Sequence, residues 1–567
     1  MLKKLLSITL IVLLAMGAFT FAYANSGPFT RSAEFKQYDE NKDKIFENLQ
    51  YQMDKRDSNE TLSTIVLFEK NFYRNAEFKS YIQEYTVKHQ YNNIPAVVME
   101  LTKTEIQNLA KRDNVVHIEH NEKLSYFIDT AKESFGAAKA VTDFGLDGDR
   151  DGNPNVYSKE DVVIAVIDSG VDRNHVDFAN GKIISWQHFH QDAIPPDDDI
   201  DTSRHDGDPE AHDHHGHGTH VAGIALGQGN GNSMYKGVAP GAALVAISVD
   251  SSGLIFTIDV LQAIDWCIDN KDEYGIDIIN LSLGSSTSSN GTDSKSLLCN
   301  AAVESGIVVC TSAGNSGDEQ YTIGSPAAAE KVITVGLFYD LGEQGFAIHS
   351  RSSRGPTADN RVKPDICGPG VNIMAPKANS VNQYVTKSGT SMSSPFVAGT
   401  IALMLDANPS LTPAQIKSIL ADTALDWGPL GKDNDYGFGR LDVYGAIKLA
   451  GNYTGSNIQT PNHFSEQYYL GNEDTHKFEI TINNALYPIT VTTIMTGDIG
   501  TRKYRLILSD DNQCVSYISN TESRQEQIKI YPSSTGKYTV RIDSLSGTGN
   551  YILDISAGFS NVVKIED

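Results

Sequence analysis

The chain is poor in basic residues. Its 46 Lys and Arg stand against 71 Asp and Glu, a formal net charge of −25. Binding to nucleic-acid phosphates rests on clustered Lys and Arg, so this balance argues against a nucleic-acid partner. It leaves room for a bound cation such as calcium, which takes carboxylate oxygens. Cysteine is scarce as well, and five residues cannot form a pure disulfide framework, because one is always left over. Beyond the N-terminus no apolar run reaches the ~20 residues that a membrane-spanning helix needs, which argues against integral membrane association. The rest is ordinary: hydrophobic residues make up 40% and charged residues 21%, which argues against a disordered or collagen-like chain. A length of 567 residues fits three or four domains at about 150 residues each.

The N-terminus speaks to compartment. Lys3 and Lys4 precede an apolar run over 10–15 that resumes through Phe19 and Phe21 and ends in Ala22-Tyr23-Ala24. A basic start, a short apolar stretch and an A-x-A site make residues 1–24 a predicted signal peptide, and the mature protein a secreted, extracellular one.

Three composition regimes follow. Over 25–128 a helical spacing at 104–110 sits among strand-like runs at 64–68, 96–101 and 115–118, an α+β pattern. Over 129–450 near-continuous apolar strands (162–167, 243–249, 277–283, 307–311, 331–335) alternate with helical stretches such as 258–269 and 296–305. That alternation predicts an α/β unit with a parallel sheet covered on both faces. A Gly-, Ser-, Asn- and Thr-rich connection at 452–461 leads to short strands at 489–494, 504–508, 527–531, 538–542 and 551–555, which predict a β-sandwich over 455–567.

Three segments of the α/β unit carry chemistry. The strand 162–167 runs into Asp168-Ser169-Gly170, which puts a carboxylate at the end of a strand where open α/β sheets bind ligands. His217-Gly218-Thr219-His220 opens a helix of small residues, and its two histidines are spaced so that a metal is also conceivable. Ser391 lies in Gly389-Thr390-Ser391-Met392-Ser393-Ser394-Pro395, where Pro395 suits a first helical turn. Each alone reads as a cap or turn residue. Together they supply a hydroxyl, a base to take its proton and a carboxylate to orient that base. The chain order is Asp, His, Ser, and position 393 is Ser, so the G-x-S-x-G elbow of lipases and esterases is missing.

In this order and context the three segments closely resemble the subtilisin-like serine protease family over about residues 129–450. The resemblance implies a three-layer parallel-sheet catalytic domain with Asp168 orienting, His217 as general base and acid, and Ser391 as nucleophile. His220 then becomes a packed helical residue. Thr311-Ser312-Ala313-Gly314-Asn315 is similar to the family's oxyanion-hole stretch, which implies that the Asn315 side-chain amide and the Ser391 backbone N–H are the donors. Ser282-Leu283-Gly284 and Ser312-Ala313-Gly314 match the edges that pair with an extended substrate, and main-chain pairing asks little of sequence. Gly324 matches the base of the first specificity pocket. A glycine there would leave space without charge, so the expectation is broad cleavage with a bulky apolar P1 preference.

Asp147, Asp149 and Asp151 with Gly152 form D-x-D-x-D-G, the opening of a calcium loop, although the twelfth position is Ser158 rather than Glu. Asp177 matches a family aspartate that often binds calcium, with 227–234 as partner loop. Calcium is therefore the expected structural cofactor, with no cofactor expected for catalysis. Residues 188–213 hold nine acidic residues against Arg204 alone, and 188–220 hold eight of the 15 histidines, a stretch open to zinc, calcium or plain solvation. The first unit, with Val115-Val116-His117-Ile118-Glu119-His120, resembles the family's inhibitory propeptide. That makes the chain's own prosegment its intramolecular inhibitor, with 121–127 as the part that enters the cleft. Gly536-Lys537-Tyr538-Thr539-Val540-Arg541-Ile542 and the run from Ser546 to Leu553 resemble the bacterial pre-peptidase C-terminal domain. The expected partners are protein or peptide substrates.

Overall fold

The computed structural model describes residues 42–565 apart from 58, 74, 91–94, 121–126, 155, 190–211, 252–253, 343–344, 498–499, 501, 511–514, 522 and 533. The expected signal peptide, nearly all of 121–127 and most of the His-rich acidic insertion lie outside the described residues. The chain divides into two compact units, Met1–Ser125 and Tyr126–Asp567.

The first unit is a four-stranded antiparallel sheet in the order Thr86–Gln90, Ala96–Thr102, Thr61–Phe68, Val115–His120. Alternate residues of Thr61–Phe68 are buried, so one face of this strand is covered. Val66, Phe68 and Met99 pack with Leu49 and Ile106 from helices Glu47–Asp54 and Lys103–Ala110. Thr102 and Glu105 begin the second helix with a reciprocal capping box.

The second unit is built on a seven-stranded sheet, wholly parallel, in the order Ile366–Pro369, Ile333–Phe338, Val308–Ser312, Ile276–Leu281, Val163–Asp168, Ala243–Ser248, Ile183–His188. All six residues of Val163–Asp168 are buried. Ile164 and Val166 join one core with helices His217–Leu226, Thr390–Ala407 and Val443–Ala450. Val163, Ala165 and Ile167 join another with Thr257–Asp269 and Ser294–Glu304. A strand that feeds two cores must be apolar throughout, which is why these strands read as continuous runs. Asp168 and Ser312 are the last residues of their strands, at the end of the sheet where binding is expected.

Pro395 departs from expectation. It lies inside helix Thr390–Ala407 rather than in its first turn. Its missing N–H would have bonded the carbonyl four residues back, that of Ser391. That carbonyl instead accepts a hydrogen bond from the Ser282 hydroxyl at 2.9 Å.

After 453–461, which form no regular structure, the chain folds into two antiparallel sheets of four and five strands around one apolar core. The strands Asn462–Leu470, Thr475–Ile482, Val515–Ser519 and Phe559–Ile565 join those expected from sequence. This sandwich is packed on the α/β body: Ile494 and Ile552 belong to the core that holds the Thr390–Ala407 helix. The His463 ring stacks on Trp427 at 3.8 Å between centroids, and the Tyr436 hydroxyl bonds the Asp554 carboxylate.

Cys267, Cys299, Cys310 and Cys367 are free and buried.

One buried carboxylate anchors the sheet edge. Asp365 accepts Lys363 Nζ at 2.5 Å and Lys432 Nζ at 2.7 Å, with Lys417 Nζ at 3.2 Å. Burial opposes its charge, but the three ammonium groups outweigh burial and hold the carboxyl far below its ordinary value. Asp365→Asn would leave Lys363 buried without its counter-charge, and urea unfolding should show a loss of about 3–5 kcal/mol.

Candidate active site

The His217 helix reaches the end of the Asp168 strand because position 218 is glycine: a Cβ there would lie 2.1 Å from the Gly170 carbonyl oxygen. At this approach His217 Nδ1 donates to Asp168 Oδ1 at 2.7 Å. The same Oδ1 accepts the Ser169 N–H at 2.8 Å, and Asp168 is 2% exposed. Because the carboxylate can only accept, the ring proton sits on Nδ1 and leaves Nε2 free to accept one. Burial works against the imidazolium. The Asp168 charge and hydrogen bond, backed by Asp213, outweigh it and hold His217 above its ordinary value.

Asp213 was not singled out by sequence, where it is one acid among nine. Its Oδ1 accepts the Ser169 hydroxyl at 2.9 Å and the Gly216 N–H at 2.7 Å. Its Oδ2 accepts the Thr219 N–H at 2.8 Å and the Thr219 hydroxyl at 2.6 Å. Asp213 thus ties the residue beside Asp168 to the first turn of the His217 helix. His220 points away from this chemistry. It is fully buried, and its Nε2 donates to the carbonyls of Ile373 and Val385 at 3.0 and 2.9 Å.

Ser391 lies in the first turn of its helix, with its hydroxyl donating to the Ser282 carbonyl at 3.1 Å. Ser282 therefore touches Ser391 twice, once as acceptor and once as donor, and Asn280 Nδ2 holds the Ser282 hydroxyl at 3.0 Å. Asn315 is anchored by the residue before Ser391: its Oδ1 accepts the Thr390 N–H at 3.0 Å and the Thr390 hydroxyl at 3.3 Å. With Oδ1 engaged there, Nδ2 is the end of the amide left to donate elsewhere. Ser282 and Ser312 are buried at the ends of neighbouring parallel strands, while Gly284 and Asn315 are exposed. Leu283 is half-buried, Ala313 donates its N–H to Val335, and Gly314 donates to the Thr390 hydroxyl at 3.3 Å.

Gly324 needs a correction. It does not open space. A Cβ there would fall 1.8 Å from the Ser285 carbonyl oxygen, so glycine is required because two backbones touch. The same segments are joined by Ser285 N–H to Ser325 O at 2.7 Å.

The acidic residues near 150 assemble differently from expectation. Asp149 and Asp151 come together with Asp161, with one carboxylate oxygen of each within 4.8 Å of the others. Asp161, missed in the sequence because it lies past the loop's twelfth position, takes the place assigned to Asp147. It is 1% exposed, its Oδ2 accepts the Ser158 N–H at 2.8 Å, and its Oδ1 has no partner. Burial, then the charges of Asp151 and Asp149, push its carboxyl up to about 6. Asp147 Oδ1 instead accepts the Asp149 N–H at 3.0 Å. Three carboxylates with a buried oxygen facing no donor fit a hard cation. Asp177 is buried as well: its Oδ1 accepts the Tyr384 hydroxyl at 2.9 Å and the Gly231 N–H at 3.3 Å, while its Oδ2 has no partner among the described residues.

The sequence model of the Subtilase family matches residues 159–439, and that of the Tk-SP N-propeptide domain matches residues 40–105. Serine protease AprX of Bacillus subtilis (strain 168) is 33% identical over 389 residues, covering 64% of this chain and 81% of that protein. Subtilisin DY of Bacillus licheniformis is 33% identical over 295 residues, covering 52% of this chain and 93% of that protein. A solved structure, Sphericase, aligns at 31% identity and a TM-score of 0.42, covering 51% of this chain and 94% of that one. The chain belongs to the subtilase family: it is a subtilisin-like serine protease that carries its own N-terminal propeptide domain.

Proposed function

We propose that the protein is a secreted serine endopeptidase, made as a self-processing zymogen, that hydrolyses protein substrates through Asp168, His217 and Ser391. The observation that carries this reading is the 2.7 Å His217–Asp168 contact at the mouth of the sheet beside the Ser391 helix. In the structure the Ser391 hydroxyl donates to the Ser282 carbonyl, and the reaction requires it to turn to His217 Nε2 instead. As Oγ attacks the scissile carbonyl, Nε2 takes its proton, and Asp168 steadies the imidazolium that forms. Negative charge develops on the carbonyl oxygen, where the Asn315 Nδ2–H and the Ser391 N–H donate to it. Collapse breaks the C–N bond. His217 returns the proton to the leaving amine, and the acyl group stays on Ser391 as an ester. Water, deprotonated by His217, then attacks that ester, and the acid product and the serine hydroxyl are released.

In this reading Ser282-Leu283-Gly284 and Ser312-Ala313-Gly314 are the edges that bind an extended substrate. A glycine and a carbonyl at 324 and 285 bring no charge to the P1 side, which speaks against a charged P1 residue, while broad cleavage with a bulky apolar preference rests on the family resemblance. Residues 1–24 are the signal peptide, 25–128 the inhibitory propeptide, 129–450 the catalytic domain and 455–567 the C-terminal sandwich. No helix among the described residues is long and apolar enough to cross a membrane. Asp149, Asp151 and Asp161 would hold a structural calcium ion, close to the set Asp147, Asp149 and Asp151 expected from the loop pattern. Such an ion would neutralise carboxylates of that loop and of the residue just before the strand that ends in Asp168.

Ser391→Ala should lower kcat on casein by about 10⁶; equal cleavage by both proteins would sink the mechanism. A peptide set varied at P1 should be cut best after bulky apolar residues, and a dominant Arg or Lys preference would contradict the pocket. The pH profile follows from His217. Catalysis needs the neutral ring, and its folded pKa is raised, so kcat/KM should climb with pH through a midpoint above the ordinary value of about 6.5 and then level off. A midpoint below 6 would speak against the Asp168 contact. In thermal unfolding of the Ser391→Ala protein, calcium at about 100-fold over its Kd should add about 2.7 kcal/mol relative to chelator. Asp161→Asn should remove that gain.

A further inference from the structure

We propose that Arg524 and Gln525 of the C-terminal sandwich are positioning residues for the oxyanion donor Asn315, so that the sandwich is a working part of the catalytic unit. The proposal rests on the assignment of Asn315 made above.

The loop that carries Asn315 is held along its length by the segment 351–354. Gly314 O accepts the Ser353 N–H at 3.0 Å, Ser316 N–H donates to Ser353 Oγ at 3.1 Å, and Gly317 N–H donates to Arg351 O at 3.2 Å. Both neighbours of Asn315 are thus fixed by one residue, Ser353. The next residue, Arg354, has no exposed surface. Its Nε donates to Ser352 O at 3.0 Å, its Nη1 to Asp435 Oδ1 at 2.9 Å, and its Nη2 to His349 O at 3.2 Å and to Gln525 Oε1 at 2.8 Å. Gln525 also donates from Nε2 to Ile348 O at 2.9 Å, so it holds the chain on both sides of the exposed Ser350 and Arg351.

Arg524 is 1% exposed and closes the arrangement. It donates from both terminal nitrogens to the two oxygens of Asp435, at 2.7 and 3.1 Å, and from Nη1 to the Asp318 carbonyl at 2.5 Å. Asp318 is the far end of the Asn315 loop. Two adjacent sandwich residues therefore reach the loop by two routes, one direct and one through Arg354 and Ser353. Asp435 is shared by both arginines, and although burial opposes its charge, the arginines hold its carboxyl below the ordinary value. A buried, bidentate arrangement fixes distance as well as orientation. Oxyanion stabilisation is sensitive to donor placement, because a donor aimed at the transition state must stand about 2.7–3.1 Å from the oxygen.

The test uses the full-length processed enzyme and a short chromogenic peptide. Rates are referred to active sites counted by burst titration. Arg524→Ala and the near-isosteric Gln525→Met should each lower kcat about tenfold with KM within about twofold, a fraction of the ~10²–10³ that losing an oxyanion donor costs. Arg524→Lys, which keeps the charge but not the fork, should recover only part of the rate. The deciding measurement is a double-mutant cycle with Asn315→Ala. If Arg524 acts through Asn315, the tenfold loss disappears in the Asn315→Ala background. An unchanged kcat per active site, or an equal loss in both backgrounds, overturns the proposal and leaves Arg524 a purely structural residue. If Asn315→Ala alone leaves kcat intact, the assignment of the oxyanion donor fails instead, and the two failures are told apart.

Discussion

A methyl group at Gly218 would come within 2.1 Å of the Gly170 carbonyl and 3.1 Å of the Asp168 Cβ. Helix and strand end therefore meet backbone to backbone, and this contact sets how far the His217 ring stands from the Asp168 carboxylate. The surrounding polar groups hold that distance. Ser169 Oγ accepts the Gly218 N–H at 2.9 Å and its hydroxyl donates a hydrogen bond to Asp213, which also accepts the Thr219 N–H in the first turn of the helix. A side chain at 218 would push helix and strand apart and would break the hydrogen bond on which the general base depends.

The cations of the second unit are placed unevenly, and the placement matters. Asp365 is surrounded by three lysines, and Asp435 by two arginines. Those carboxylates are structural and fully compensated. Asp168 receives an imidazole and a backbone N–H instead. Its negative charge is then available to favour the protonated form of His217 that exists in the transition state. The overall deficit of basic residues thus has a local counterpart at Asp168, where a carboxylate acts on His217.

Much of this could be read from the sequence, and for physical reasons. Strands buried on both faces must be apolar throughout, so 162–167 and its parallel neighbours stood out. Asp168, His217 and Ser391 were legible as a set, from a strand-end carboxylate and the Asp, His, Ser order, whereas Asn315 was legible only through the resemblance of its segment to the family's oxyanion-hole stretch. What escaped was what depends on distant partners. Asp213 acts on Ser169 and Thr219 from within an acidic stretch that offers no local contrast. Asp161 joins Asp149 and Asp151 from outside the loop pattern. The strand Asn462–Leu470 is largely exposed and rich in His, Ser, Glu and Gln, so it lacks the apolar alternation that marks a half-buried strand. Gly324 was recognised for its position, but the reason for glycine there is the Ser285 carbonyl, a contact no local pattern reveals. Pro395 was placed a turn too early, since nothing in the sequence says that Ser282 relieves the Ser391 carbonyl.

The four buried cysteines carry a consequence for durability. Burial raises the pKa of Cys267, Cys299, Cys310 and Cys367 well above the ordinary thiol value. Held as neutral thiols without solvent access, they lack the thiolate needed to attack a disulfide, meet an oxidant or capture a soft metal. They behave as small apolar fillers. This part of the molecule is consequently indifferent to the redox state of its surroundings, and its stability draws on packing and buried ion clusters rather than on crosslinks.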